Sequence, residues 1–254
     1  MANQGFSTED RVVDGVRLRL TRAGTDTGRP ALLLVHGAPG SGADWTEVMR
    51  TLAEHTVCYA PDLAGFGFSE RAPGRAGPAG QAALLRTLAV RLGLHRMVVV
   101  GYGLGGTVAA HLASLTPRRV SGLVMAAAPL HPRVWPPPYL APLQVPGIRL
   151  LVARRLVAEV PGHGDQAAGL VDLVRGVNMW SSGQAWQKVR RNRPPLLVLW
   201  GARDRVYSVG YGRSVAEEAQ AAWVSVPDAG HRLPRDQPAR MAAEIQRFLY
   251  RVSG

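Results

Sequence analysis

Four short runs of uninterrupted apolar residues recur along the chain, at Ala31–Val35, Met97–Val100, Leu123–Ala127 and Leu196–Trp200. Runs of this length without polar alternation fit strands buried on both faces, as in parallel sheets covered by helices. Between them lie stretches with apolar residues at helical spacing. Asp44–Ala53 carries Trp45, Val48, Met49 and Leu52, and Pro238–Val252 carries Met241, Ile245, Phe248 and Leu249. Val16–Leu20, Val57–Ala60 and Trp223–Val226 read as further strands, and Pro78–Leu92 and Gly105–Leu115 as helices. This alternation predicts an α/β fold with a mostly parallel sheet.

The pattern breaks at Pro129 and returns near Pro195. The intervening segment opens with the proline-rich run WPPPYLAPLQVP and continues with helical pieces bearing Leu150, Leu151, Leu156, Val171, Leu173 and Val174. It reads as a helical cap inserted into one domain, with core at 1–128, cap at 129–195 and core again at 196–254. The chain's 254 residues suffice for one such domain and not comfortably for two.

The net charge is +12, yet Lys188 is the only lysine and the arginines are scattered, with no basic block or aromatic-interleaved stripe. Nucleic-acid binding is therefore not expected. The pairs Arg154/Arg155 and Arg190/Arg191 read as solvated helix faces, with an anionic substrate or an acidic carrier protein as the alternative. No run is long enough to span a membrane, and the first ten residues lack a signal-peptide pattern, so the expected location is cytoplasmic. The single Cys58 has no disulfide partner within the chain. No metal or cofactor motif is apparent, and oligomeric state is not legible.

Glycine-rich motifs follow the strands. They are His36-Gly37-Ala38-Pro39-Gly40, Asp62-Leu63-Ala64-Gly65-Phe66-Gly67, Gly101-Tyr102-Gly103-Leu104-Gly105-Gly106, Gly201-Ala202-Arg203-Asp204 and Gly230-His231. In this order the set resembles the α/β-hydrolase superfamily, in its capped epoxide-hydrolase and esterase-like branch. The resemblance covers nearly the whole chain. It implies an eight-stranded, mostly parallel sheet flanked by helices, and the chain order nucleophile, acid, histidine at 103, 204 and 231.

The family's elbow places Ser, Asp or Cys at the position of Gly103. Glycine offers no attacking atom, so covalent acyl-enzyme and alkyl-enzyme routes are closed to this sequence. Cys58, Ser69 and Thr107 are poor replacements. Tyr102 is discounted as a nucleophile because the family's geometry packs it away from the pocket. The resemblance implies that His231 is a general base oriented by Asp204, and that the N–H groups of Ala38 and Leu104 form an oxyanion hole. It implies a structural role for His36, a fold-signature role for Asp62, Gly65 and Gly67, and a cis Ala38–Pro39 bond. Tyr102, Trp135, Tyr139 and Trp180 are the candidate substrate-contacting residues; the cap tryptophans and Tyr139 fit equally a small core of the cap.

Three readings follow. The first is a non-hydrolytic lyase, cyclase or isomerase acting without a cofactor on a small carbonyl-containing metabolite, of the kind made in bacterial secondary metabolism. The second is a serine ester, thioester or lactone hydrolase in which Gly replaces Ser at 103. The third is a non-catalytic small-molecule-binding protein.

Overall fold

A computed structural model describes residues 5–131, 134–162 and 165–254. Residues 1–4, which begin the stretch read above for a leader, lie outside the described residues. The described strands are β1 (Ser7–Val13), β2 (Val16–Ala23), β3 (Ala31–Val35), β4 (Cys58–Pro61), β5 (Met97–Tyr102), β6 (Val120–Ala126), β7 (Leu196–Gly201) and β8 (Ala222–Val226). They form one sheet in the order β1-β2-β4-β3-β5-β6-β7-β8. β2 runs antiparallel to both β1 and β4, and every other pair is parallel. The expected eight-stranded α/β-hydrolase fold is thus observed.

The helices are α1 (Thr46–Leu52), α2 (Pro78–Arg91), α3 (Leu104–Leu115), α4 (Arg149–Val157), α5 (Gln166–Gly176), α6 (Met179–Asn192), α7 (Val209–Glu218), α8 (Leu233–Asp236) and α9 (Pro238–Ser253). α1 packs against α9, while α3 packs against α2 and α6. The central strands β3, β5 and β7 are buried along their whole length, which is why their sequences carry no polar alternation.

The path of the chain sets the site. From β3 the chain crosses to β4 on one side, and from β5 it crosses to β6 on the other. Right-handed crossovers then place α1 and α3 on opposite faces and leave a crevice at the carboxyl ends of β3 and β5. His36–Pro39 and Gly103 lie at those ends.

Between β6 and β7 the described residues contain helices α4 to α6 and no strand. Glycine-on-glycine contacts seat α5 on the core. A Cβ on Gly169 would collide with the carbonyl of Gly65, and one on Gly77 with the carbonyl of Gly176. The Gln166 side chain accepts from the Gly67 N–H at 2.9 Å, and Arg71 pairs with Asp172 at 2.6 Å. α4 packs on α5 and on the 3-10 turn at Ala141–Gln144. No described helix is long and apolar enough to cross a membrane.

Candidate active site

The turn from β5 into α3 is built for close approach. A Cβ on Gly101 would strike the carbonyl of Gly105, one on Gly105 the carbonyl of His36, and one on Gly106 the Ala128 side chain. Gly103 is different. The nearest atom to its hypothetical Cβ is Nε2 of His231 at 3.3 Å, followed by Cα of Gly37 at 3.8 Å. A Cβ there would clear the backbone but press on the imidazole, which would have to yield a few tenths of an ångström. The backbone at Gly103, φ 53° and ψ −130°, is one that glycine adopts without the strain other residues incur.

His231 follows β8, and its Nδ1 lies 3.0 Å from Oδ2 of Asp204, which follows β7. The Asp204 side chain is fully buried. Its Oδ1 accepts from the N–H groups of Val206 at 2.7 Å and Tyr207 at 3.0 Å. The carboxylate accepts from three donors, fixes Nδ1 as the protonated nitrogen, and leaves Nε2 facing Gly103. The Tyr207 ring meets the imidazole edge-on, with centroids 5.3 Å apart.

A cavity of about 200 Å³ lies over this arrangement. Gly37, Ala38, Gly103, Leu104 and His231 line its inner end, and Tyr102, Tyr139 and Tyr207 its walls. Leu104 opens α3, so its N–H has no acceptor within the helix. Ala38 stands on the facing loop, where its peptide bond to Pro39 is cis, as expected. Burial pushes the Tyr139 phenol up to about 12, and burial also raises that of Tyr207. Both therefore remain hydrogen-bond donors at neutral pH.

Among the described residues, none lining this cavity is a serine, threonine, cysteine, aspartate or glutamate. Cys58 is buried in β4 and its thiol is pushed up to about 12 by desolvation. The Ser69 hydroxyl donates to the Asp62 carbonyl and that of Thr107 to the Pro129 carbonyl. His36 is buried, with Nε2 accepting from the Leu63 N–H at 2.9 Å and Nδ1 2.6 Å from the Gly37 carbonyl. It ties the loop after β3 to the loop after β4. Asp62 braces the same region by accepting from the N–H groups of Gly42 and Phe68.

The structure brings Gly103, His231, Asp204, Ala38, Leu104, Tyr102 and Tyr139 together. It separates the two tryptophans from them. Trp180 is 76% exposed and lies with Met179 and Trp186 on a different groove, because the buried face of α6 runs through Met179, Ser182, Trp186 and Val189. Trp135 is half-buried against the core and does not line the cavity. The sequence reading missed Tyr207, Arg232 and a supporting chain. In that chain the Tyr102 hydroxyl donates to Oδ2 of the buried Asp44 at 2.6 Å, and Arg235 donates two hydrogen bonds to Oδ1. The Tyr102 ring thereby sits under Gly37, whose Cβ it would block at 2.8 Å. The Asx-type turn at Asp204-Arg205-Val206-Tyr207 was the local signal that placed Tyr207 beside the acid.

The sequence profile of the alpha/beta hydrolase family matches residues 32–244, most of the chain. The chain belongs to the alpha/beta hydrolase family. Among curated relatives, haloalkane dehalogenase 2 of Mycobacterium tuberculosis is 26% identical over 281 aligned positions, covering 96% of each chain. A soluble epoxide hydrolase of a Corynebacterium species is 36% identical over a shorter stretch, 40% of this chain and 35% of its own. Among solved structures, a thermophilic esterase from Thermogutta terrifontis superposes with a TM-score of 0.79 at 23% identity, covering 98% of this chain and 100% of that one. The haloalkane dehalogenase of Bradyrhizobium elkani superposes at 0.82 with 19% identity, covering 98% and 99%.

Proposed function

We propose that this alpha/beta hydrolase family member is a base catalyst that removes a proton next to a carbonyl in a small molecule, in a lyase, cyclase or isomerase reaction. The observation that carries this reading is the cavity lining: an oriented His231–Asp204 pair with no alcohol, thiol or carboxylate nucleophile beside it. The substrate carbonyl accepts from the N–H groups of Ala38 and Leu104. Nε2 of His231 takes the proton from the adjacent carbon, and the C–H electron pair becomes an enolate held by those two donors. Asp204 stabilises the imidazolium. The enolate then expels a β-substituent, closes on an internal electrophile, or takes the proton back at another carbon. Tyr139 and Tyr207 donate to substrate oxygens.

Solvent deuterium exchange tests the reading. A panel of small ketones and β-hydroxy ketones is incubated with the protein in D2O and followed by NMR. Exchange or conversion of one of them is expected, with a loss of about 10²–10⁴-fold in His231→Ala. Turnover that survives the loss of His231 overturns it.

A Cβ at Gly103 would clear the backbone and meet the His231 imidazole at 3.3 Å from Nε2, beside the base a serine would need, which favours a second reading, a hydrolase scaffold that lacks only its serine. The esterase and dehalogenase relatives support it at the level of family. Gly103→Ser decides between the two. A gain of ester hydrolysis by several orders of magnitude, toward the roughly 10⁶-fold that a triad nucleophile contributes, with no exchange activity in the Gly103 protein, establishes the second.

A further inference from the structure

A larger cleft of about 700 Å³ adjoins the candidate site. It shares Pro39 and Arg232 with the smaller cavity, so the two meet at those residues. One wall is α4 with the turn after it, where Leu151 (71% exposed), Leu156 and Val160 form an apolar strip. Arg154, Arg155, Arg232 and Arg235 line the same cleft against a single carboxylate, Glu159. Arg235 is committed to Asp44. Arg154, Arg155 and Arg232 make no ion pair among the described residues.

Among the described residues of the cleft, Glu159 is the one carboxylate facing these three guanidiniums, so positive charge is in excess around an apolar cleft. Their planar forks match carboxylate and phosphate oxygens two at a time. Burial raises the Tyr139 phenol and the charge of Arg232 opposes that rise, so Arg232 acts on the inner cavity as well as on the cleft.

We infer that the cleft is the substrate entrance of the candidate site and selects a small molecule with an apolar stem and a terminal carboxylate or phosphate. Arg154, Arg155 and Arg232 hold the anion, the stem lies along Leu151 and Leu156, and the reacting carbonyl passes Pro39 to His231. The inner end of this path rests on the reading proposed above. The anion subsite stands on the cleft itself.

The test is calorimetric titration of the full chain with three probes of matched length: monomethyl suberate, mono-octyl phosphate and the neutral dimethyl suberate. At least one anionic probe is expected to bind about tenfold or more tightly than the diester, as for hydrogen bonds to charged groups. The tighter of the two anions names the terminal group. Arg154→Gln/Arg155→Gln/Arg232→Gln should remove the preference, and each single substitution should reduce it. Glu159→Gln should strengthen anion binding severalfold, a change of sign that a general loss of structure does not produce. Equal binding of all three probes, or a preference that persists in the triple variant, overturns the inference. Because the readout is binding, failure of the base chemistry leaves it intact.

Discussion

Nε2 of His231 stands 3.3 Å from the point a Cβ on Gly103 would occupy, the nearest described heavy atom beyond Gly103 and its two chain neighbours. The glycines at 101, 105 and 106 are dictated by collisions with neighbouring atoms, whereas position 103 is set by its positive φ and a tight approach to the His231 imidazole.

Gly103→Ser should therefore fold, at a cost. A side chain at φ 53° costs about 1–3 kcal/mol, and the imidazole must yield a few tenths of an ångström. Urea denaturation measures the loss. Fluorophosphonate should label the variant and leave the Gly103 protein unlabelled. Stoichiometric labelling of the Gly103 protein at any serine would place a nucleophile outside this cavity.

Asp204→Asn should impair both turnover and stability. The buried carboxylate accepts three hydrogen bonds, and an amide must turn its NH2 toward one of those donors. Loss of one such bond costs about 2–3 kcal/mol, since the acceptor is charged and the donor is left unpaired. The imidazole loses its fixed tautomer, and turnover should fall by about 10⁴-fold. Retention of full activity with wild-type melting would show that the pair is not the working base.

The His111 imidazole gives the fold a pH dependence. It is buried in α3, with Nε2 3.2 Å from the Ser182 hydroxyl of α6, and burial, aided by Lys188, lowers its pKa to about 4 from the usual 6.5. The unfolded chain binds the proton first. Stability is thus fully present above about pH 6.5 and declines as pH falls toward 4, by on the order of 3 kcal/mol in total. Melting followed between pH 7.5 and 4.5 should show this slope, and His111→Gln should flatten it. An unchanged slope in the variant would assign the acid sensitivity to other groups.

Much of the fold was legible because its central strands are buried on both faces, so Ala31–Val35 and Leu196–Trp200 stand out as apolar runs. β1 was not. Ser7–Val13 is an edge strand carrying Glu9, Asp10 and Arg11, mostly exposed, and its charges mask any alternation. α7 was hidden by glycine: Gly212 lies against the Trp200 ring, where a Cβ would collide, so packing placed a poor helix former inside a helix. At the site, His231, Asp204 and Gly103 were readable from the order of loop motifs. The chain Arg235–Asp44–Tyr102 was not, because its members come from three separate elements and meet only after folding. Trp180 joins neither the cavity nor a cap core, because helical phase and not aromaticity decides which side chains of α6 are buried. One position along from the buried Met179, it turns outward.

Gly169→Ala should unseat α5. Its Cβ would enter the carbonyl of Gly65, a backbone atom that cannot rotate away. Overpacking of this kind costs about 1–3 kcal/mol, readable in the melting temperature. The anion preference assigned to Arg154 and Arg155, which lie on α4, should weaken in the same variant, because α4 packs on α5. Unaltered melting would show that the seam absorbs a methyl group.

That coupling follows from how the inserted helices are supported. α5 is fastened to the core by backbone seams and by Gln166 and Arg71, whereas α4 leans on α5 and on the short turn before it. Mechanically, α4 is a cantilever whose root is α5 and whose free side carries two arginines over the mouth of the cleft. Substitutions along the free side can retune which molecules enter while the root, and the base beneath it, keep their positions. With the cleft as the inferred entrance, labour divides between an anvil at the sheet edge and an arm above it that sequence change can reshape.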